Sequence, residues 1–162
     1  MSKAYFTADW HLGHRNILKY RPNFKSIEEH DTTIFSNYTN IVKKRDIVYF
    51  LGDICFDKTY LDKLRNLPGR KVLVLGNHDT EHLSVSDLLF AFDEIISLKS
   101  YKGFWLSHAP IHPEELRGKL NIHGHTHYGK IKDTRYINVC VEQTYYAPIE
   151  LHDIKESLNE TS

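Results

Sequence analysis

Short apolar segments that each end in a cluster of aspartate, asparagine or histidine constrain the fold of this chain most strongly. The segments are rich in β-branched and aromatic residues, as buried strands are, and five of them stand at 4–8, 46–51, 71–75, 104–107 and 121–123. Stretches with apolar residues at helical spacing separate the first four, at 27–42, 60–67 and 85–92. This alternation of strands with helices predicts a layered α/β fold.

Three further segments complete the predicted elements. Residues 94–98 and 104–107 are expected to pair as a hairpin around Lys102-Gly103, and residues 136–141 are expected to form another strand. Pro148 is expected to turn the chain into a frayed C-terminal tail. Because no repeat, low-complexity segment or linker interrupts the 162 residues, a single domain, 1–162, is predicted.

The polar clusters supply the candidate functional residues. In open α/β sheets, sites form in the crevice beyond the carboxyl ends of the strands, so clusters at these ends are expected to converge. Seven candidate metal ligands follow the strands: Asp9, His11, Asp53, Asn77, His108, His125 and His127. Carboxylate, imidazole and carboxamide groups suit Mn²⁺, Fe, Zn²⁺ or Mg²⁺. Since seven ligands exceed the need of one tetrahedral ion, we predict two ions that share a bridging carboxylate.

The spacing within two of these clusters carries a geometric expectation. In Asp9-x-His11 and His125-x-His127, the ligands are separated by one residue. Because side chains in a strand repeat every two residues, both members of each pair are expected on the same side of an extended segment.

The order of the clusters along the chain resembles a known family. Asp9-x-His11, Gly52-Asp53, Gly76-Asn77-His78, His108 and Gly124-His125-x-His127 stand in the order of the calcineurin-like metallophosphoesterase superfamily. Residues 7–17 further resemble its small single-domain bacterial and phage branch. The resemblance covers residues 4 to about 149 and implies a four-layer α/β/β/α sandwich, with a binuclear metal site at the carboxyl ends of the strands.

The resemblance also implies a role for each motif residue. The resemblance implies that one ion is held by Asp9, His11 and His127. It implies that the other ion is held by Asn77, His108 and His125, and that Asp53 bridges the two ions. A metal-bridging hydroxide would attack phosphorus, and His78 would act at the leaving-group oxygen as general acid or charge stabiliser. Two divalent ions are expected, Mn²⁺ first, with Fe, Zn²⁺, Ni²⁺ and Mg²⁺ as alternatives.

One position departs from the family pattern. Several branches of the family have an aspartate three residues after the bridging one, and this aspartate orients the catalytic histidine. Here that residue is Phe56. Asp57 and Asp79 are nearby carboxylates in the sequence, so the orienting partner of His78 stays open.

Other polar residues have two interpretations. His14, Arg15 and Asn16 follow the first ligand pair; they either contact a substrate phosphate, for which arginine is well suited, or begin a solvated helix. Four histidines outside the motifs are expected at the surface or behind the ligands: His30, His82, His112 and His152. Cys55 and Cys140 lie in apolar surroundings and are expected in the core.

Composition narrows the classes of partner and compartment. With 21 basic and 21 acidic residues, the chain has no net charge, which argues against an extended contact with nucleic acid but leaves a local one open. No segment approaches the roughly 20 apolar residues of a membrane span. The N-terminus has no signal-peptide form, and two cysteines are too few for a disulfide framework. A cytoplasmic protein without a membrane partner is therefore predicted.

The favoured function is metal-dependent hydrolysis of a phosphodiester, or of a small phosphorylated metabolite or nucleotide. One alternative is a nuclease or RNA phosphodiesterase that acts on short nucleic acid, although 162 residues leave no room for the capping segments of DNA-repair nucleases. A second alternative is a non-catalytic scaffold of the same fold. The exposed faces of so small a domain could pair as a homodimer.

Overall fold

The computed structural model describes residues 1–160 and has the α/β architecture that the sequence predicts. Its α-helices are α1 (Ile27–Ile41), α2 (Leu61–Arg65), α3 (Val85–Ala91) and α4 (Leu151–Glu160). Its strands are β1 (Ala4–Thr7), β2 (Ile47–Phe50), β3 (Arg70–Val74), β4 (Glu94–Ile96), β5 (Lys99–Tyr101), β6 (Phe104–Ser107), β7 (Leu120–His123), β8 (Tyr136–Asn138) and β9 (Ile149–Glu150).

The strands form two sheets. The larger has the order β4-β3-β2-β1-β9, in which the first four strands are parallel and β9 is antiparallel to β1. The smaller has the order β5-β6-β7-β8, in which β6, β7 and β8 are parallel. A parallel bridge between Ala8, just after β1, and Cys140, just after β8, joins the two sheets where their parallel strands end. The carboxyl ends of both sheets therefore meet.

Two apolar clusters set the order of the layers. In the first, Ile34 of α1 and Leu88 of α3 pack with Phe50 on one face of the larger sheet. In the second, Val72 of the larger sheet packs with Ile122 of the smaller sheet. The molecule is therefore layered as helices, larger sheet and smaller sheet, and burial of these apolar faces is the main stabilising contribution.

The outer face of the smaller sheet is covered by segment 109–119. The indole Nε1 of Trp105 donates to the carbonyl of Leu116 at 3.1 Å, and the hydroxyl of Tyr136 donates to the carbonyl of Ile111 at 2.7 Å. Within this segment, Pro113–Glu115 forms a single 3-10 turn. The segment thus satisfies polar groups on this face without an α-helix.

Two local predictions are wrong. The hairpin around Lys102-Gly103 pairs β5 with β6, whereas β4 joins β3 in the larger sheet. Lys102 and Gly103 have φ angles of 47° and 90°, the geometry of a tight two-residue turn, which requires the strands directly beside it to pair. The C-terminal tail is also not frayed, because α4 buries Leu151 and Ile154. None of the helices within residues 1–160 is long and apolar enough to cross a membrane.

Candidate metal centre

The loops that carry the seven candidate ligands begin where strands end and are bonded to one another. Asp9 follows β1, and its N–H donates to the carbonyl of Gly52, after β2, at 2.9 Å. The N–H of His11 donates to the carbonyl of Asp53 at 3.1 Å. The N–H of Gly124, after β7, donates to the carbonyl of His108, after β6, at 2.8 Å. Between the sheets, the N–H of His125 donates to Asp9 Oδ2 at 2.8 Å, so the polar clusters of both sheets converge, as the sequence predicts.

Asp9, His11 and His127 form the first ligand group. Asp9 Oδ1 lies 3.8 Å from His11 Nε2 and 3.7 Å from His127 Nε2. Both Asp9 Oδ1 and His11 Nε2 are buried, and neither has a hydrogen-bond partner within residues 1–160. Because an unpaired buried polar atom is unfavourable, two such atoms aimed at one point fit a cation between them.

Asp53, Asn77, His108 and His125 form the second ligand group. His108 Nε2 lies 3.3 Å from Asp53 Oδ2, 2.9 Å from Asn77 Oδ1 and 3.2 Å from His125 Nδ1. Asp53 Oδ2 is also 3.9 Å from His11 Nε2 in the first group. The Asp53 carboxylate therefore lies between the two groups, where a bridging ligand must lie.

The backbone is strained at most of these residues. Five of the seven have positive φ angles, and they are Asp9 (58°), His11 (51°), Asp53 (56°), His125 (69°) and His127 (49°). The expectation of an extended segment at Asp-x-His and His-x-His is therefore wrong, because the ligands lie in turns beyond the strands. A left-handed non-glycine residue costs roughly 1–3 kcal/mol, and such strain is typical of functional sites.

Asp79 connects the loops that follow β2 and β3. Its buried carboxylate accepts the N–H groups of Asp53 (2.9 Å), Ile54 (3.0 Å) and Gly76 (2.7 Å). Burial raises the pKa of Asp79, and these hydrogen bonds oppose the rise. The carboxylate is thus committed to backbone groups rather than to His78.

The two central titratable groups form a charged couple. Burial alone would raise the pKa of Asp53, but hydrogen bonding and charge from His108 hold it below its ordinary value. Burial alone would lower the pKa of His108, but Asp53 and Asp9 raise it to about 9. His108 Nδ1 donates to the carbonyl of Leu51 at 2.6 Å, so Nε2 faces the site. Burial lowers the pKa of His11, which favours its neutral, metal-binding form.

His78 lies beside the first group, with its ring centroid 6.2 Å from that of His11. Glu81, three residues later, places Oε2 2.8 Å from His78 Nδ1. The Phe56 ring packs against His11 at 4.9 Å and His78 at 5.7 Å. The Glu81 carboxylate is therefore close to His78 Nδ1, but the contact lacks hydrogen-bond geometry and Nδ1 has no hydrogen-bond partner within residues 1–160. Phe56 supplies an apolar support for both imidazoles.

The three candidate substrate contacts differ in their distance from the site. His14 reaches the site, where its Nδ1 lies 3.2 Å from His11 Nδ1 and its ring stacks on Phe56 at 4.7 Å. Burial, together with the neighbouring imidazoles of His78 and His82, lowers the pKa of His14. Arg15 and Asn16 are exposed, and the Arg15 guanidinium lies 3.9 Å from a carboxylate oxygen of α1. Of the three, only His14 is placed against a candidate ligand.

Two residues behind the first group have no signal in the sequence motifs. Glu142 Oε1 lies 2.7 Å from His127 Nδ1, and the Arg21 guanidinium binds the same oxygen at 2.6 Å. His30 is buried and contacts Arg21 at 2.7 Å, which places it behind the ligands. Arg21 and Glu142 are 121 residues apart, so no local pattern connects them. The two cysteines are buried, as expected.

Comparison with known proteins gives relatives whose names state no activity. No model of a known protein family matches the chain. The chain is 36% identical over 168 residues to the uncharacterized protein MJ1445 of Methanocaldococcus jannaschii, and the alignment covers 93% of this chain and 88% of that protein. It is 32% identical over 162 residues to the gene 66 protein of Mycobacterium phage L5, which covers 78% of each chain.

A solved structure shares the fold. The crystal structure of the protein of unknown function AQ665 from Aquifex aeolicus aligns with a TM-score of 0.78 and 32% identity. The alignment covers 96% of this chain and 99% of that one. By the extent and identity of these matches, the chain belongs to the family of the uncharacterized protein MJ1445.

Proposed function

We propose that the protein is a metal-dependent phosphoesterase that hydrolyses a phosphodiester, or a small phosphorylated metabolite or nucleotide. The observation that carries the proposal is the pair of ligand groups that share Asp53. The unpaired buried atoms of Asp9 and His11 support a cation there. The four-layer sandwich is part of the same proposal, with segment 109–119 in the place of the outer layer.

The proposed ligand sets follow the two groups. One ion would be held by Asp9, His11 and His127, the other by Asn77, His108 and His125, and Asp53 would contact both. The oxygen and nitrogen ligands fit Mn²⁺ best in this proposal, with Fe, Zn²⁺, Ni²⁺ and Mg²⁺ as alternatives. When bound, two such ions activate water and neutralise the charge that develops on phosphoryl oxygens.

The remaining residues position these groups and move protons. His78 is partly exposed beside the centre, so its Nε2 can donate a proton to a leaving oxygen, with the Glu81 carboxylate 2.8 Å from Nδ1. His14, on the same side, offers a second imidazole to a phosphoryl oxygen. Asn77 and His125 are exposed, which gives a substrate access to the second group from solvent. A scaffold has no need for strained, converging ligand loops, and this disfavours the non-catalytic alternative.

A direct assay tests the proposal. The metal-free protein is loaded with Mn²⁺ and given an aryl phosphodiester, an aryl phosphomonoester, nucleotides, cyclic nucleotides and short RNA. Asp53→Asn keeps the size of the side chain and loses the bridging charge, so we expect a rate loss of at least about 100-fold. The matched control is Asp133→Asn, which removes a carboxylate paired with Arg135 at 2.7 Å outside the site. Full activity of Asp53→Asn, or no hydrolysis of any ester by the loaded protein, contradicts the proposal.

A further inference from the structure

The side chain of Glu142 is fully buried behind the first ligand group. It lies in the 3-10 turn Val141–Gln143 that follows β8. Its Oε1 accepts from His127 Nδ1 at 2.7 Å and from Arg21 Nε at 2.8 Å. This fixes the His127 ring with a proton on Nδ1, so that Nε2 presents its lone pair towards Asp9 Oδ1.

The Arg21 side chain is also fully buried and reaches the other part of the same group. Its Nη2 donates to the carbonyl of Asp9 at 2.6 Å, and its Nη1 donates to the carbonyl of Trp10 at 3.2 Å. On its far side, Nη1 lies 2.7 Å from His30 Nε2. One guanidinium therefore connects the backbone beside Asp9 with the carboxylate that holds His127.

This ion pair is poorly explained as a device for stability alone. Two buried charges carry a desolvation penalty, and a well-packed apolar pair of similar volume is often as stabilising or more so. Asp9, His11 and His127 all have positive φ angles, so the first group needs contacts that hold an unfavourable backbone in place. Arg21 and Glu142 contact this group at its backbone and at a ring, respectively.

We propose that Glu142 and Arg21 are positioning residues of the metal centre. Glu142 fixes the tautomer and direction of His127, and Arg21 holds both Glu142 and the Asp9 loop in register, so that three ligand atoms face one ion. This inference rests on the metal centre of the proposed function. It adds a specific claim, because the buried pair serves one ligand group and not the other.

Isothermal titration of the metal-free protein with Mn²⁺ separates this role from a general structural one. The test variant is Glu142→Gln, which is isosteric and removes only the charge. The matched control is Glu150→Gln, in which the lost carboxylate pairs with Lys3 at 2.7 Å on the protein surface. We expect two ions for wild type and control; in Glu142→Gln, one binding step weakens by roughly 10–100-fold and the other stays unchanged. The absorption spectrum of the Co²⁺-loaded protein should change with it.

Arg21→Lys provides a second variant that keeps the buried positive charge but loses the forked contact, and we expect it to weaken the same step. If both variants bind two ions as wild type does, the positioning role is overturned and the phosphoesterase proposal stands. Equal weakening of both steps, or loss of folding in both variants, assigns the pair to general stability and also overturns the role. If the wild type binds no ion, both proposals fall.

Discussion

Asp79 gives the sharpest prediction about how the candidate site is held. Its carboxylate is the shared acceptor for three backbone N–H groups, on the loops after β2 and β3, and two of these bonds, to Asp53 and Ile54, are buried. In Asp79→Asn, the amide oxygen can take the place of Oδ2, but the amide NH₂ then faces the N–H of Ile54. Two buried donors are then left unpaired, the Ile54 N–H and one N–H of the new amide; Asp79→Ala also leaves at least two, the N–H groups of Asp53 and Ile54.

The expected magnitudes follow from those counts. An unsatisfied buried donor costs about 1–3 kcal/mol, so the free energy of unfolding should fall by about 2–6 kcal/mol for Asp79→Asn, and Asp79→Ala should be at least as destabilising. At roughly 2–4 °C per kcal/mol for a chain of this size, Tm should fall by about 4–24 °C for Asp79→Asn and by at least as much for Asp79→Ala.

Thermal unfolding of the metal-free protein measures both changes, which keeps ion binding out of the comparison. Asp133→Asn is the control and should stay within about 2 °C of wild type, because a partly exposed ion pair contributes little. The reasoning is refuted if either Asp79→Asn or Asp79→Ala unfolds at the same temperature as wild type.

Three further predictions concern the ions and His78. Because the pKa of His108 is raised to about 9, its Nε2 carries a proton at pH 7 that an ion must displace. Mn²⁺ affinity should therefore rise about tenfold from pH 7 to 8 and less steeply from pH 8 to 9, and titration in buffers of different ionisation enthalpy should show proton release. A Mn²⁺ affinity that does not change between pH 7 and 9 would contradict the charged pair of Asp53 and His108. His78→Ala should lower turnover by roughly 100-fold or more and Glu81→Gln by less, and both variants should bind Mn²⁺ as wild type does. Weaker Mn²⁺ binding in either variant would contradict the claim that these residues lie beside the ions without binding them. In Gly124→Ala, the new Cβ would lie 2.5 Å from Asp9 Oδ2. Titration with Mn²⁺ should therefore show that this variant no longer binds the ion of the first group. Binding of two ions would show that the loop can move aside.

The sequence predicts the strands and the position of the site because both depend on local order. The strands that lead to the site are short apolar runs, unlike β5, and each candidate ligand follows such a run within a few residues, as Asp53 follows β2 and His108 follows β6. The rule that clusters at the carboxyl ends of parallel strands converge then brings them together. The α/β fold and the convergence of the seven residues are therefore accessible without coordinates.

Features that depend on tertiary contact were not accessible. The Arg21–Glu142 pair joins residues 121 positions apart, and nothing near either residue signals the other. The left-handed backbone at Asp9 and His11 is imposed by bonds to the loop after β2, which spacing alone cannot express. By contrast, α4 has a signal in the sequence, because Leu151 and Ile154 stand at helical spacing after Pro148.

The central claim is that two ions are held by two ligand groups that share Asp53. Anomalous diffraction from a crystal grown with Mn²⁺ tests it most directly, since it locates the metal without reference to activity. We predict two peaks about 3.5–4 Å apart, one among Asp9, His11 and His127 and one beside His108, with the Asp53 carboxylate between them. A single peak, or two peaks that Asp53 does not separate, would contradict the account.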